Sequence, residues 1–288
     1  MDLAALQVDV RPGDVDANLA AAEAALAVAA EAGARLALLP ELWATSFPGA
    51  EGPAGDAELA AGAAEALECA RRWSAEADLL VAGSYLAPGP NLGRAGAGRF
   101  LNRLVVHEAG REVLLYDKVH LFTPTAEHEV FAAGDAPPPV VRTSVGLLSG
   151  AVCYDLRFGE VFRHVAARGA ELVLVPAQWP VRRAAHWRAL VTGRAVEAQC
   201  TVLATNRTGT ETIGRRKDRL VFPGNSLLVD PAGEVLAEGA GELVVAGTAD
   251  LDRARRQRVR VPVAKDRRPE RYAAWGRAQG EPEDGPGA

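Results

Sequence analysis

Residues 147–160, LLSGAVCYDLRFGE, restrict the fold more than any other stretch of the chain. An apolar run ends abruptly at Cys153, and Tyr154-Asp155-Leu156-Arg157-Phe158 follows. The pattern predicts a buried strand that turns sharply into a helix, with a cysteine at the junction. A thiol at a helix N-terminus meets unpaired backbone N–H groups and the positive end of the helix dipole, and both favour thiolate. The same N–H groups can hold a negative oxygen on a substrate. A cysteine here can equally be a small hydrophobe that ends a core strand, so the rest of the chain decides.

Strand-like and helical segments alternate around this stretch. Residues 3–8, 35–39 and 79–86 are short apolar runs that read as strands. Residues 16–32 read as a helix with Asp16 or Asn18 as its cap and Gly33 as its end. Residues 56–77 read as a second, amphipathic helix. Residues 88–98 are rich in glycine and proline and predict a loop. Residues 99–107 and 112–116 flank Ala109-Gly110 as a hairpin that delivers Asp117, Lys118 and His120. Residues 122–139 are irregular and polar, with Glu127, His128 and Glu129 at their centre, and such insertions tend to be functional or disordered. Two strands over 140–152, a helix over 158–167, a strand over 171–175 and a long basic helix over 181–199 come next. Strands at 201–205, 226–229 and 243–250 complete the series, with a turn at 230–233. The order predicts an α/β chain with a mixed sheet and helices on its outer faces. No repeat or linker divides it. One domain over 1–272 is expected, followed by a flexible tail over 273–288.

Charge and cysteine content exclude several classes. The 288 residues carry 32 Lys and Arg against 37 Asp and Glu, a net −5, which argues against a nucleic-acid partner. The cysteines Cys69, Cys153 and Cys200 have neither a paired disulfide spacing nor a zinc spacing. The opening residues lack a basic segment, so no signal peptide is read. The alanine-rich stretch 19–39 is interrupted by Glu23, Glu31 and Arg35, and no membrane span is expected. These features fit a cytoplasmic protein.

Glu41, Lys118 and Cys153 share one property: each follows directly on an apolar strand-like run. Functional groups gather outside strand ends in open α/β sheets. Each residue has a plainer reading, Glu41 as a first-turn helix acid and Lys118 as a solvated lysine. Together they describe a reaction. A free thiol, with a pKa of about 8.5, needs a base at neutral pH. A carboxylate in a dry pocket can accept its proton. Attack on an amide carbonyl creates an oxyanion that a lysine ammonium and the N–H after the nucleophile can hold. Glu127 is the candidate for a second carboxylate that orients water or leaving ammonia. A cysteine–histidine pair through His120 is the competing arrangement, but it leaves Glu41 and Lys118 unexplained.

With these residues stands a series of further motifs. They include Leu38-Leu39-Pro40-Glu41-Leu42, Tyr116-Asp117-Lys118-Val119-His120, Cys153-Tyr154-Asp155-Leu156-Arg157-Phe158, His186-Trp187 and Gly193-Arg194-Ala195-Val196-Glu197. Asn206, Gly224-Asn225-Ser226, Asp230-Pro231-Ala232-Gly233-Glu234 and Asp266-Arg267-Arg268-Pro269-Glu270 follow. In this order, from about Ala4 to about Tyr272, the chain resembles the nitrilase superfamily of carbon–nitrogen hydrolases. The resemblance implies a four-layer α-β-β-α sandwich and a Glu41–Lys118–Cys153 triad with Glu127 as second glutamate. It implies no metal and no organic cofactor, a small-molecule amide substrate, and a homodimer or higher homo-oligomer. The helices after Cys153 and around 182–194 typically face the partner.

Trp179-Pro180 followed by His186-Trp187 is most like the omega-amidase branch, whose enzymes hydrolyse monoamides of small dicarboxylates such as 2-oxoglutaramate. Tyr154, Arg157, Gln178 and Trp179 are the expected substrate-binding residues. Arg157 is the arginine nearest in sequence for a substrate carboxylate, with an ion pair to Glu160 or Asp155 as its structural alternative. Gly159 stands in place of the usual proline, Ala198 where asparagine is common, and Gln178 where the branch often has a small or aromatic residue. An N-carbamoyl amino acid hydrolase, a nitrile hydrolyser and a non-catalytic assembly protein are the alternative functions.

Overall fold

The computed structural model describes residues 1–49, 55–213 and 218–278. Its first half holds β1 (Asp2–Leu6), α1 (Val15–Glu31), β2 (Leu36–Leu38), α2 (Asp56–Glu76), β3 (Leu80–Pro88), β4 (Phe100–Glu108) and β5 (Arg111–Asp117). Its second half holds β6 (Val141–Thr143), β7 (Gly146–Gly150), α3 (Gly159–Ala167), β8 (Leu172–Ala177), α4 (Ala184–Ala198), β9 (Thr201–Asn206), β10 (Thr208–Ile213), β11 (Asp218–Val229), β12 (Val235–Ala240) and β13 (Val244–Thr248). Helices α5 (Asp252–Arg260), α6 (Val263–Asp266) and α7 (Pro269–Ala278) follow. Residues 273–278, expected in the tail, continue α7; residues 279–288 lie outside the described residues.

Among the described residues the strands make two sheets, ordered β13-β1-β2-β3-β4-β5 and β10-β11-β9-β8-β7-β6, with β12 beside β11. Each sheet has a parallel β-α-β-α-β centre, β1-β2-β3 in one and β7-β8-β9 in the other. Antiparallel strands extend both. Period-2 alternation sets the layers of the first sheet. Leu3, Ala5, Leu36, Leu38, Leu80 and Ala82 join a core shared with the second sheet. Their neighbours Ala4, Leu6, Ala37, Leu39 and Val81 pack outward on α1 and α2. The buried face of α1 is Ala22, Ala25, Leu26 and Ala29, the i, i+3, i+4, i+7 stripe of an amphipathic helix. Helices α3 and α4 cover the other sheet through Phe162, Val165, Trp187 and Val191. This is the expected α-β-β-α sandwich.

Local differences have local causes. Asp14, rather than Asp16 or Asn18, caps α1 by accepting from the Ala17 N–H at 3.2 Å. Asn18 is buried and its amide instead ties Arg11 to Ala44. Strand β10, TGTETI, is too polar to read as a strand; it pairs with β11 along the sheet edge, and its Thr208 bridges to Asp9. Strand β12 likewise alternates half-buried and exposed residues and was hidden between the two strands expected on either side. No helix is long and apolar enough to cross a membrane among the described residues.

His107 on β4 is fully inaccessible, and neither ring nitrogen has a hydrogen-bond partner among the described residues. Burial, with help from the Arg71 charge, lowers its pKa to about 4. The folded state therefore refuses a proton that the unfolded chain accepts below about pH 6.5. Its stabilisation is complete above that pH and is lost as pH falls through about 4, by up to about 3 kcal/mol. H107L is expected to flatten the acid limb of stability against pH. Urea unfolding of both proteins at pH 7 and pH 4.5 checks this; parallel losses would remove His107 as the cause.

Candidate active site

The C-terminal ends of strands from both sheets converge on one point. Pro40 stops the chain after β2, and Glu41 follows, fully buried. Lys118 follows β5 and Cys153 follows β7. The Lys118 Nζ donates to Glu41 Oε1 at 2.8 Å and to Glu127 Oε1 and Oε2 at 2.8 and 2.9 Å. Asn102 Nδ2 donates to Glu41 Oε1 at 2.8 Å, and the Gln178 N–H to Glu41 Oε2 at 3.0 Å. Cys153 Sγ lies 3.9 Å from the Gln178 carbonyl oxygen. One cavity is lined by Glu41, Lys118, Glu127 and Cys153 together. The four residues picked from strand ends and the irregular loop thus share a site.

The backbone is strained around them. Leu42, Ala126 and Cys153 have φ of +45°, +61° and +45°, values that side chains other than glycine rarely adopt and that concentrate at functional sites. Each adjoins or is a member of the carboxylate–ammonium–thiol group.

Cys153 opens a short 3-10 turn, Cys153–Arg157, and α3 begins only at Gly159. The expected helix N-terminus at the thiol is therefore displaced by six residues, and its dipole does not set the thiol. Burial and then the negative charge of Glu41 push the Cys153 pKa well up, against the opposite pull of Lys118. The resting sulfur is a thiol, not the thiolate the helix-end argument favours. Burial disfavours charge on Lys118, yet Glu127 and Glu41 outweigh it and hold the ammonium well above the usual lysine value. Burial raises the Glu127 pKa, and Lys118 opposes it. Such a group needs its base to move a proton only during attack.

Asp155 fastens the thiol turn to the lysine strand. Its carboxylate accepts from the Val152 N–H at 3.0 Å, the Tyr116 hydroxyl at 2.9 Å and the His120 N–H at 3.0 Å. His120 Nδ1 lies 2.8 Å from Asp155, and its ring stacks on Phe158 at 3.6 Å. The histidine of the competing pair is thereby committed to Asp155. Gln178 is a brace more than a wall. Its Nε2 donates to the Glu41 carbonyl at 2.9 Å, and its Oε1 accepts from buried Arg207 at 3.0 Å. Arg207 also bonds Glu211, which accepts from Ser46 at 2.7 Å. Trp179 is held by Asn206 through its N–H at 2.7 Å and by the Arg183 carbonyl through its indole at 2.9 Å.

Arg157 reaches neither expected acid. Asp155 is taken as above, and Glu160 pairs with Arg163. Its guanidinium lies 4.9 Å over the Trp179 ring and 3.4 Å from His186 Nδ1. The rest of the cavity wall is aromatic and aliphatic, with Phe47, Phe122, Tyr154 and Phe222 among its members, and Arg183 stands beside Arg157. Free space within is about 40 Å³, enough for about three water-sized groups. Among the described residues no group of three His, Cys, Asp or Glu side chains is disposed to hold a metal ion.

Residues 2–261 match the carbon-nitrogen hydrolase family. The chain belongs to that family. Within it, the chain is 33% identical over 192 residues to omega-amidase YafV of Yersinia enterocolitica, covering 67% of each. It is 31% identical to the 2-oxoglutaramate amidase of Bacillus subtilis, covering 79% of this chain and 82% of that one. A solved amidase of Nesterenkonia sp. AN1 superposes with a TM-score of 0.78 at 31% identity, over 96% of each chain. In that structure the acetamide moiety of fluoroacetamide is added covalently at the active site cysteine. This carbon-nitrogen hydrolase therefore has the nitrilase-superfamily fold and acts on carbon–nitrogen bonds other than peptide bonds.

Sequence reasoning did not find Asn102, Arg207, Asp155 or Arg183 as parts of the hydrolase site. Asn102 had a signal: it shares its strand face with Phe100 and Leu104, both fully buried, and a polar residue on an apolar face needs a partner. Arg207 had none, since only folding brings it to Gln178.

Proposed function

We propose that this carbon-nitrogen hydrolase is an amidase that cleaves the terminal amide of a small carboxylate-bearing substrate through a thioester on Cys153. The observation that carries the reading is the Lys118 ammonium held between two buried carboxylates, on the cavity into which Cys153 opens. Glu41 takes the thiol proton as Sγ attacks the amide carbon. The oxyanion forms between the Lys118 ammonium and the Tyr154 N–H, a cationic and a backbone donor together. Glu41 then passes the proton to the leaving nitrogen, and ammonia departs. Water enters, gives a proton to Glu41 and attacks the thioester, which releases the acid and restores the thiol. Both Glu127 oxygens accept from Lys118 and one from the Phe122 N–H, so Glu127 acts by fixing the ammonium.

The names of the relatives support an omega-amide as substrate: one acts on 2-oxoglutaramate. The narrow space around the thiol supports a short acyl group. Rapid quenching during turnover of 2-oxoglutaramate, followed by peptide mass spectrometry, should show the acyl group on Cys153. Cys200 is fully buried in the core, and neither it nor Cys69 lines the cavity. An adduct on either of those, or none on any cysteine while ammonia is released, would remove the thioester mechanism. Carbon dioxide beside ammonia would instead identify an N-carbamoyl substrate, and turnover of a nitrile would identify a nitrilase.

A further inference from the structure

Two arginines line the cavity, Arg157 and Arg183, and Arg182 directly precedes the second in the chain. They differ in what already occupies them. Arg182 approaches Asp218 at 3.8 Å. Arg157 lies on Trp179 and beside His186. The Arg183 guanidinium lies 5.1 Å over the Phe122 ring, and no carboxylate pairs with it among the described residues. A guanidinium stacked on an aromatic face keeps its in-plane N–H fork, the edge that matches a carboxylate in bidentate geometry.

The fork is also held in place. The Arg183 N–H donates to the Pro180 carbonyl at 2.9 Å, and the Arg183 carbonyl accepts the Trp179 indole N–H at 2.9 Å. Phe122, on which it lies, is tied through its own N–H to Glu127 at 2.6 Å. The arginine is therefore referenced to the same carboxylate that grips Lys118. Burial, then the charges of Arg182 and Arg157, lower the Arg183 pKa, the mark of a cation short of counter-charge.

The cavity is thus polarised along its length. Its floor has two carboxylates to one ammonium, Glu41, Glu127 and Lys118. Its wall towards the opening has the guanidinium groups of Arg157 and Arg183. A substrate entering carboxylate-first meets like charge at the floor. One entering amide-first meets none there and leaves its carboxylate among the arginines.

We infer that Arg183 binds the remote carboxylate of the substrate and orients the amide towards Cys153. The inference rests on the amidase reading above, and it makes the ligand class a short monoamide with an anionic far end. Arg183 is a specificity-determining residue in this role, with Arg157 as its neighbour in charge.

The test measures binding by calorimetry in the C153A background, with succinamate and butyramide as probes. The two share an amide and differ by a carboxylate in place of a methyl group. C153A should bind succinamate more tightly than butyramide. Adding R183Q should weaken succinamate binding about 10- to 100-fold, the range of a charge-assisted fork, and leave butyramide within about threefold, the scatter of a surface change. R183K, which keeps charge and loses the fork, should fall between. Equal losses for both probes, no loss for succinamate, or a loss on R157Q alone would overturn the assignment. Specific succinamate binding without turnover by the enzyme carrying Cys153 would overturn the amidase reading and leave Arg183 as an anion site.

Discussion

C153A should release no ammonia from any amide that the unaltered enzyme hydrolyses, a loss of at least about 10,000-fold. Among the described residues Cys153 is the one cysteine lining the cavity; the lysine beside it is a buried ammonium held by two carboxylates. Alanine at φ +45° is no more strained than cysteine there. The sulfur's contact to the Gln178 carbonyl is long, at 3.9 Å. Stability should therefore change by no more than about 1 kcal/mol, the ordinary range for a single substitution. The checks are ammonia release with 2-oxoglutaramate and thermal melting. Ammonia released by a folded C153A would end the Cys153 thioester mechanism.

The second large effect is on stability as much as on rate. K118M leaves Glu41 and Glu127 buried with their shared counter-charge removed. Both side chains and the lysine are fully inaccessible. Breaking a buried ion pair from one side costs about 3–5 kcal/mol, and at about 2–4 °C per kcal/mol for a large domain the melting temperature should fall by roughly 6–20 °C. Adding E127Q to K118M should recover part of that fall, since an amide needs no counter-charge. It should recover no activity, since the oxyanion still lacks its ammonium. A K118M protein that melts like the original would show that the carboxylates do not depend on Lys118 for their burial.

The residues found from sequence and those missed divide on a physical line. Glu41, Lys118 and Cys153 were legible because each interrupts an apolar run at the end of a strand, a position where a polar group has somewhere to go. The mixed sheet with helices on its outer faces was legible from the alternation of strand-like and helical segments, and the four layers only through the family resemblance. Invisible were the contacts that depend on strands distant in sequence lying side by side: Arg207 on Gln178, Asp155 on Tyr116 and His120, Asn102 on Glu41. The turn that carries the thiol was illegible for a related reason. The sequence showed a cysteine before a helix, but not the 3-10 turn that separates them or the buried carboxylate whose charge opposes thiolate. Arg157 was chosen by nearness along the chain; Arg183, thirty residues after the thiol, lines the same cavity and had no such signal.

Two sheets contribute to the site, and they do so in a fixed temporal order. Glu41, Asn102 and Lys118 are synthesised with the first sheet, while Cys153 and Gln178 come only with the second. The first sheet itself is not closed until β13 returns to pair with β1, residue 248 opposite residue 2. A nascent chain thus carries the base and the cation for much of its time on the ribosome without a nucleophile to activate. When the cysteine emerges, the strand that completes its partner sheet is still about ninety residues away, far beyond the reach of local structure. The site therefore needs strands from both sheets, and its base and cation precede its nucleophile along the chain.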